Sequence, residues 1–254
     1  MPRSLWNGTI VFGLVNVPIS VHTATESKTV RFLEVHAADG ARVEHRRVCP
    51  TDGEEVPYEH VVMGFEVRDG EYVELTREEL KAAAGVRSKR VEVQDFVPGE
   101  EIDPVFYDRA YYLGARAGGE AGYRLLHEAI RRSGRVGIAR WVFHDRERLV
   151  AIRSLDGVLA MHTMRFHDEV VSGESLALAE PQRAPTRREV EMARLLLDSL
   201  QAHFEPGRYH DAHREAVMKL IERKAAGEPI EVEPPPEPEE PSDLAAALEA
   251  SIAS

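Results

Sequence analysis

Short stretches in which apolar and polar residues alternate recur along the first two thirds of the chain. Alternation with a period of two predicts β-strands that bury one face. The predicted strands cover residues 9–22, 30–35, 61–67, 72–75, 91–97, 110–113, 136–143, 149–153 and 158–166. Only two helices interrupt this series, whereas a parallel fold would need a helix after nearly every strand. The spacing therefore predicts a closed antiparallel barrel.

The first predicted strand changes phase in its middle. Apolar residues alternate twice within 9–22, and the phase slips by one residue near 15–16, between the sets Ile10–Phe12–Leu14 and Val17–Ile19–Val21. One extra residue in a strand produces such a slip, because it moves every later side chain to the opposite face. We therefore expect a single strand with a β-bulge.

Turn and capping signals divide the rest of this region. Turns are predicted at 39–40, 50–53, 69–70, 103–104, 144–147 and 156–157, where Gly, Pro, Asp and charged residues cluster. Thr76 and Glu79 form a capping box that opens a short helix, with Gly85 as its stop. A second helix is predicted over 120–133, ending at Gly134, with the inner stripe Leu126, Ala129 and Ile130.

The segment 33–66, which we call the arm, is polar on both faces of any strand it could form, above all within 41–55. Arg42, Glu44 and Arg46 would fall on one face, and Val43, His45 and Arg47 on the other. Such a strand cannot be held by a core of its own. We interpret the arm as an extended element that lies against a partner or reaches around one.

The net charge of −12 argues against an anionic partner, but the charge is unevenly placed. Residues 228–254 hold 8 acidic residues and no basic ones, which leaves 32 basic against 36 acidic residues elsewhere. Six arginines lie within 131–148, at positions 131, 132, 135, 140, 146 and 148. A local basic face is compatible with phosphate binding, although scattered arginines more often only solvate a surface.

Several classes of protein are excluded or disfavoured. No apolar run approaches the roughly 20 residues that a membrane span needs. The N-terminus lacks a signal-peptide layout, and the single cysteine, Cys49, excludes an intramolecular disulfide, so we expect a cytoplasmic protein. Common nucleotide, hydrolase and zinc motifs are absent. We therefore predict no catalytic residue, no metal site and no cofactor.

The composition changes after about residue 180. A second capping box, Thr186 with Glu189, opens a helix with the apolar stripe Val190, Ala193, Leu197, Leu200 and Phe204, and another helix is predicted over 209–226. Six prolines and six glutamates make 228–241 an extended linker. A short helix over 242–254 presents Leu244, Leu248 and Ile252 as a docking motif, with a frayed tail as the alternative. The predicted domains are 1–180, 181–227, 228–241 and 242–254.

Several dissimilar segments resemble the bacterial Ku proteins, and they occur in the same order. They read SLWNGTIVFGLVNVPISVHTAT, FLEVHAADGARVEHRRVCPTDGEEVPYEHVVMGFE, EIDPVFYDRAYYL, GRVGIARWVFHDRERLVAIR, HTMRFHDEV, MARLLLDSL and DLAAALEASI. The resemblance implies an α+β, mainly β fold: a barrel whose arm forms half of a dimeric ring, with a C-terminal helical arm. It also implies a non-catalytic homodimer that threads onto double-stranded DNA ends, near the nucleoid, and recruits the ATP-dependent end-joining DNA ligase.

Sequence-independent DNA binding requires Lys and Arg aimed at the phosphate backbone. The cations that we expect to contact DNA are Arg42, Arg46 and Arg47 in the arm, Arg87, Lys89 and Arg90 after it, and Arg140, Arg146 and Arg148 on a later hairpin. Where many relatives carry a C-x-x-C pair, this chain has Cys49 and Asp52, so we expect no structural zinc. We also expect the protein to lack the lysine-rich tail that some relatives carry.

Two other classes remain open from the residues alone. A nuclease or hydrolase could use clustered Asp, Glu and His on the barrel, and it would cleave DNA in a metal-dependent manner. A purely structural dimerisation module would show no DNA affinity at any salt concentration.

Overall fold

Seven strands close into a barrel, and two further strands form a separate sheet. A computed structural model describes residues 3–83, 89–144, 146–176 and 183–229. The strands are β1 (Trp6–Phe12), β2 (Val15–Thr23), β3 (Met63–Arg68), β4 (Glu71–Leu75), β5 (Arg90–Pro98), β6 (Tyr107–Ala115), β7 (Arg135–Phe143), β8 (Arg146–Leu155) and β9 (Val158–Met164). The helices are α1 (Arg77–Ala83), α2 (Glu120–Ser133), α3 (Arg187–Ser199) and α4 (Ala212–Ala225).

The predicted closed barrel is confirmed. Its strand order is β1-β2-β6-β9-β8-β7-β5, and every neighbouring pair is antiparallel except β1 and β5. These two strands are parallel and close the barrel at Thr9–Arg90, Ile10–Val91 and Val11–Glu92. Parallel neighbours need a long connection. Between β1 and β5 the chain forms β2, the arm and the β3–β4 hairpin, which together provide it.

The barrel interior is filled by alternate residues of its strands. Trp141 lies at its centre, fully buried, with Trp6 and Tyr111 edge-on to its ring at 5.7 and 5.6 Å between centroids. The other buried members of this cluster are Ile10, Val17, Ile19, Val21, Val91, Leu113, Leu126, Ile130, Ala139, Val150, Ile152, Leu159 and Met161. Each large side chain buried in this way stabilises the fold by about 1.5–3 kcal/mol.

The β-bulge predicted within 9–22 is wrong, because a hairpin turn produces the phase change. Phe12 pairs with Val15, so Gly13 and Leu14 form a two-residue loop between β1 and β2. Gly13 has φ 57°, a conformation that glycine adopts without strain. Leu14 is 98% exposed at the tip of this loop and does not belong to the inward-facing set.

Helix α2 has the predicted bounds, and its C-terminal end is closed by Gly134 at φ 65°. Leu126 and Ile130 are buried in the barrel cluster, whereas Ala129 is exposed and was wrongly placed on the inner stripe. Tyr123 fastens the helix to the barrel. Its hydroxyl donates a hydrogen bond to the Leu113 carbonyl (2.6 Å) and accepts one from the Leu159 N–H (2.8 Å).

Both predicted capping boxes are confirmed. At α1, the Thr76 N–H donates to the Glu79 carboxylate (2.8 Å), and the Glu79 N–H donates back to the Thr76 hydroxyl (3.2 Å). Thr186 and Glu189 make the same reciprocal pair at α3, with distances of 2.6 and 3.3 Å. These local exchanges satisfy backbone donors that a helix leaves unpaired at its start.

Several elements differ from the predictions. No strand covers 30–35 in the described chain, and only an isolated bridge joins Val35 to Arg42. Helix α3 ends at Ser199, so the apolar stripe predicted to continue to Phe204 leaves the helix at Leu200. Helix α4 begins after Asp211, whose carboxylate accepts the Arg214 N–H (2.9 Å), rather than near residue 209.

The chain divides into two units, one formed by residues 1–27 and 33–175 and the other by residues 28–32 and 176–254. The described part of the second unit contains α3 and α4, and no residue of either helix is buried. No helix in the described residues is long and apolar enough to cross a membrane. The predicted linker beyond Pro229, the terminal helix with Leu244, Leu248 and Ile252, the helix stop at Gly85 and the cation Arg87 lie outside the described residues.

Candidate nucleic-acid interface

The arm leaves the barrel after β2 and is exposed along its length. None of its residues is buried, and neither is any residue of the following β3–β4 hairpin. Two isolated antiparallel bridges, Val35 to Arg42 and Val48 to Glu55, are its only ladder contacts before β3 in the described chain. The arm is therefore exposed, and the extended strand predicted over 41–55 is not continuous, because the Val48–Glu55 bridge folds this stretch back on itself.

Each bridge closes one of the predicted turns. At the first, the His36 N–H donates to the Ala41 carbonyl (2.7 Å), and Gly40 has φ 73°. At the second, the Cys49 N–H donates to the Glu54 carbonyl (2.9 Å), and Gly53 has φ 76°. Backbone bonds thus shape two tight loops, and the arginines lie on or beside them.

The arm arginines differ in their surroundings. Arg42 stands at the first bridge. Arg46 is exposed, and its Nη1 lies 3.1 Å from Oε2 of Glu55, which the second bridge brings close. Arg47 lies over the Tyr58 ring, with 5.2 Å between Cζ and the ring centroid.

Arg77, which the sequence analysis did not predict as part of this surface, also contacts Tyr58. The guanidinium of Arg77, at the start of α1, also contacts the Tyr58 ring, with 4.4 Å between Cζ and the centroid. A single aromatic ring therefore holds two guanidinium groups, each through an interaction of about 0.5–1 kcal/mol at exposed sites. The capping box at Thr76 fixed where α1 begins, but no pattern in the sequence brings Arg77 to Tyr58.

The three arginines predicted on the later hairpin do not share a face. Directly opposite residues of an antiparallel pair lie on the same side of the sheet. Arg148 is opposite the buried Trp141, so Arg148 and Arg146 follow the interior face of β8 towards the open end of the barrel. Arg140 is opposite Leu149 and lies on the outer face, where its guanidinium pairs with Glu147.

At this open end the arginines alternate with carboxylates. Arg146 lies 3.3 Å from Glu169, and Arg165 lies 4.0 Å from Asp108. A cavity of about 160 Å³ separates these groups and is lined also by Arg148, which is half-buried. Arg165 was not predicted as part of this cluster, because strand register rather than sequence spacing brings β9 beside β8.

Arg90 begins strand β5, Lys89 directly precedes it, and both are exposed. Their position depends on a close approach at Gly8, where a Cβ would overlap the Lys89 carbonyl oxygen and the Trp6 ring. The same carbonyl accepts the Thr9 N–H (2.9 Å). Gly8 thus allows the start of β5 to lie against β1.

Some of the predicted cations form exposed ion pairs with carboxylates. Three of the predicted cations, Arg46, Arg140 and Arg146, already pair with Glu55, Glu147 and Glu169. Exposed ion pairs of this kind contribute about 0–1 kcal/mol, so a phosphate can replace the carboxylate at little cost. The described residues contain no group of three His, Cys, Asp or Glu side chains arranged to hold a metal ion.

Fold and surface together define a β-barrel protein with an exposed, arginine-bearing arm. The sequence profile of the Ku70/Ku80 beta-barrel domain matches residues 11–192, which include the arm and most of the barrel. This chain belongs to the Ku family.

Curated relatives named "Non-homologous end joining protein Ku" resemble the chain over nearly all of its length. The one from Anaeromyxobacter sp. (strain K) is 48% identical, and the alignment covers 100% of this chain and 86% of the relative. The relative from Symbiobacterium thermophilum is 42% identical over 98% of this chain but only 62% of its own length. The relative from Mycobacterium tuberculosis (strain H37Rv) is 35% identical, with 98% and 94% coverage.

Proposed function

We propose that this protein binds the ends of double-stranded DNA, irrespective of sequence, in non-homologous end joining. Two copies would join their arms into a ring through which the duplex passes. The protein would act without catalysis and would recruit the ATP-dependent end-joining DNA ligase. Membership of the Ku family and the names of its relatives support the pathway, and the arm supports the mode of binding.

The observation that carries this proposal is the exposure of the arm. The arm has no buried residue, and its only ladder contacts in the described chain are two isolated bridges and the pairing of its last four residues with β4, so little of its own chain stabilises it. It also presents large apolar side chains to solvent, among them Leu33, Val35, Val43, Val48, Val62 and Phe65. Burial of these groups against a second copy would stabilise a closed ring.

The cations of the arm and barrel suit recognition of the DNA backbone. Arginine and lysine contact phosphates without reading bases, so the predicted binding is independent of sequence and dependent on salt. We propose Arg42, Arg46, Arg47, Arg87, Lys89, Arg90, Arg140, Arg146 and Arg148 as the DNA-contacting set. Arg148 is the least accessible of those described, because its Nε is buried and has no hydrogen-bond partner in the described chain.

Ligase recruitment is proposed for the C-terminal helix with Leu244, Leu248 and Ile252. The linker would hold this helix away from the ring, where a partner could reach its apolar stripe. Replacement of Leu248 by Asp should abolish capture of the purified ligase in a pull-down assay while leaving DNA binding unchanged. Normal capture by this variant would place the ligase contact elsewhere.

The test of threading is a comparison of one duplex in two forms at the same moderate salt concentration. A closed ring can load only where the duplex has an end, so we expect retention of linear DNA and little retention of the covalently closed circle. Cutting the same circle once with a restriction enzyme should restore binding, which excludes a difference in sequence.

Blocked ends provide a second control for the ring. Streptavidin bound to biotin at both ends leaves the duplex linear but prevents threading. We expect this DNA to bind as weakly as the circle. Equal binding to the open linear, blocked and circular forms would mean an open surface and would refute the ring.

A further inference from the structure

A cleft beside the C-terminal end of α2 is lined by basic side chains. Its volume is about 540 Å³, and Arg131, Arg135, Arg153 and His162 are among the lining residues. Within the described chain, no aspartate or glutamate lines it. Carboxylates accompany the arginines at the open end of the barrel, so the two sites differ in character.

Strand register places two of these side chains side by side. Ile152 of β8 pairs with Met161 of β9, and both are buried in the barrel core. Because successive side chains alternate between faces, the next residues, Arg153 and His162, project from the outer face of the same two strands. They are diagonal neighbours, which brings a guanidinium and an imidazole to one wall of the cleft.

The imidazole of His162 has a defined donor. Its Nδ1 is buried and has no hydrogen-bond partner in the described residues. An unpaired buried N–H is costlier than an unpaired buried acceptor, so the site favours the neutral tautomer with its proton on Nε2. Burial, with a smaller contribution from the charge of Arg153, lowers the pKa of His162 and favours this neutral form.

The arginines of the cleft are incompletely neutralised. Arg131 donates Nε and Nη2 to the Glu128 carboxylate, both at 2.8 Å. Among the described residues, the Arg135 guanidinium donates only to the neutral Phe96 carbonyl (3.4 Å), and Arg153 makes no ion pair. In the described chain, Arg135 and Arg153 thus line the same cleft without a carboxylate partner, and an anion bound there would offset their charge.

We propose that this cleft binds a small phosphorylated anion, whose phosphate oxygens accept hydrogen bonds from Arg135, Arg153 and the Nε2–H of His162. Guanidinium groups suit phosphate because they can donate two parallel hydrogen bonds to its oxygens. The volume lies within the range of about 300–1,000 Å³ usual for small-molecule sites. Tyr107, whose ring packs edge-on to His162 at 5.2 Å between centroids, adds an aromatic wall for the remainder of the ligand.

The test is a calorimetric titration of the full-length protein with inorganic pyrophosphate at constant ionic strength. We expect saturable binding, and we expect Arg135→Gln and Arg153→Gln each to raise Kd about ten-fold or more, the effect of losing a charge-assisted hydrogen bond. Arg132→Gln is the matched control, because Arg132 also pairs with Glu128 (2.7 Å) but does not line the cleft. Its Kd should equal that of the unchanged protein.

Three results would overturn the proposal: no saturable binding of pyrophosphate, an equal loss in Arg132→Gln, or an equal weakening of duplex DNA binding by Arg153→Gln. The last result would assign the cleft to the DNA surface instead of a small ligand. Should Arg153→Gln fail to fold, as judged by circular dichroism, Arg153→Lys keeps the charge but not the paired donors. We expect this second variant to fold and to bind pyrophosphate more weakly than the unchanged protein.

Discussion

The barrel and the arm are built from one chain, yet they satisfy their interactions in opposite ways. Every barrel strand has a hydrogen-bonded neighbour on each side, and apolar residues from all seven strands and α2 meet in the interior. The arm has two isolated bridges, the pairing of its last four residues with β4, and no buried residue. The barrel strands therefore satisfy one another's hydrogen bonds and bury a shared core, whereas the arm leaves its side chains exposed to solvent.

The arm differs from the barrel because its apolar side chains are exposed, and not because it has few of them. Phe65 is 66% exposed in β3, while Trp141 is fully buried in β7. A two-stranded sheet such as β3–β4 is marginally stable without a surface to pack against. The contrast teaches that exposed apolar and cationic groups on one segment indicate an external partner, which for this Ku-family chain we propose to be a second copy and DNA.

The largest expected effect is on the barrel. Trp141→Ala should lower the free energy of unfolding by about 3–5 kcal/mol, because it removes a buried aromatic ring and leaves a cavity. Phe65→Ala in the arm should change it by less than about 0.5 kcal/mol under conditions where the protein is monomeric. Urea unfolding followed by circular dichroism gives both values, and equal losses would mean that the arm is packed as the barrel is.

The next effect concerns the arm cations. Charge reversal at Arg46 and Arg47 should weaken binding to linear duplexes of any sequence and reduce the slope of log K against log salt by about two, one for each lost phosphate contact. Binding isotherms at several salt concentrations measure this slope. An unchanged slope would exclude these side chains from the interface.

The control for this variant has the same change in net charge at another place. Arg187 and Arg188 form an adjacent pair at the start of α3, where glutamate is favoured by the helix dipole. Their double reversal should leave the salt slope closer to that of the unchanged protein. A matching fall in both variants would show that overall charge, not the arm, controls binding.

A smaller effect is expected where α2 is fastened to the barrel. Tyr123→Phe removes the partner of both the Leu113 carbonyl and the Leu159 N–H, which should cost about 1–3 kcal/mol of stability. Tyr112→Phe, on the exposed side of β6, should be nearly neutral. The urea concentration at the midpoint of unfolding compares the two variants, provided that the free energy of unfolding depends equally on urea in both. Indistinguishable midpoints would show that Tyr123 does not stabilise the contact between α2 and the barrel.

The smallest effect is a pH dependence at the end of α2. Hydrogen bonds from Arg131 and then Arg132 lower the pKa of Glu128 from 4.5 to about 2. Since the lowered pKa belongs to the folded state, this stabilisation is present above about pH 4.5 and is lost as the pH falls towards 2. Glu128→Gln should therefore reduce the fall in Tm between pH 6 and pH 3, and an unchanged fall would exclude the contribution of Glu128.

Local signals predicted the elements well because they act within a few residues. The capping boxes at Thr76 and Thr186, the bounds of α2 and the Asp156-Gly157 turn all depend on neighbours in sequence. Alternation also predicted the closed barrel. The same local view mistook the loop at Gly13 for a bulge, because a two-residue turn and an inserted residue both shift the phase of alternation.

The candidate site was only partly predictable. Composition and the arm pattern selected the arginines, and the Ku resemblance supplied their proposed partner, but neither could tell which carboxylates face them. Register separated Arg140 from Arg146 and Arg148, and it brought Arg165 into their cluster. The pairing of Arg77 with Tyr58 was equally hidden, since nothing in the sequence relates α1 to the arm.

By itself, the sequence determined the period of each strand, the helix caps, the polar arm and membership of the Ku family. Tertiary structure alone decided the parallel closure of β1 on β5, the ion pairs of the arginines and the basic cleft at Arg153 and His162. The physical reason is range. Backbone preferences and capping act over three or four residues, whereas these contacts join residues that are far apart in the sequence and meet only when strands pair.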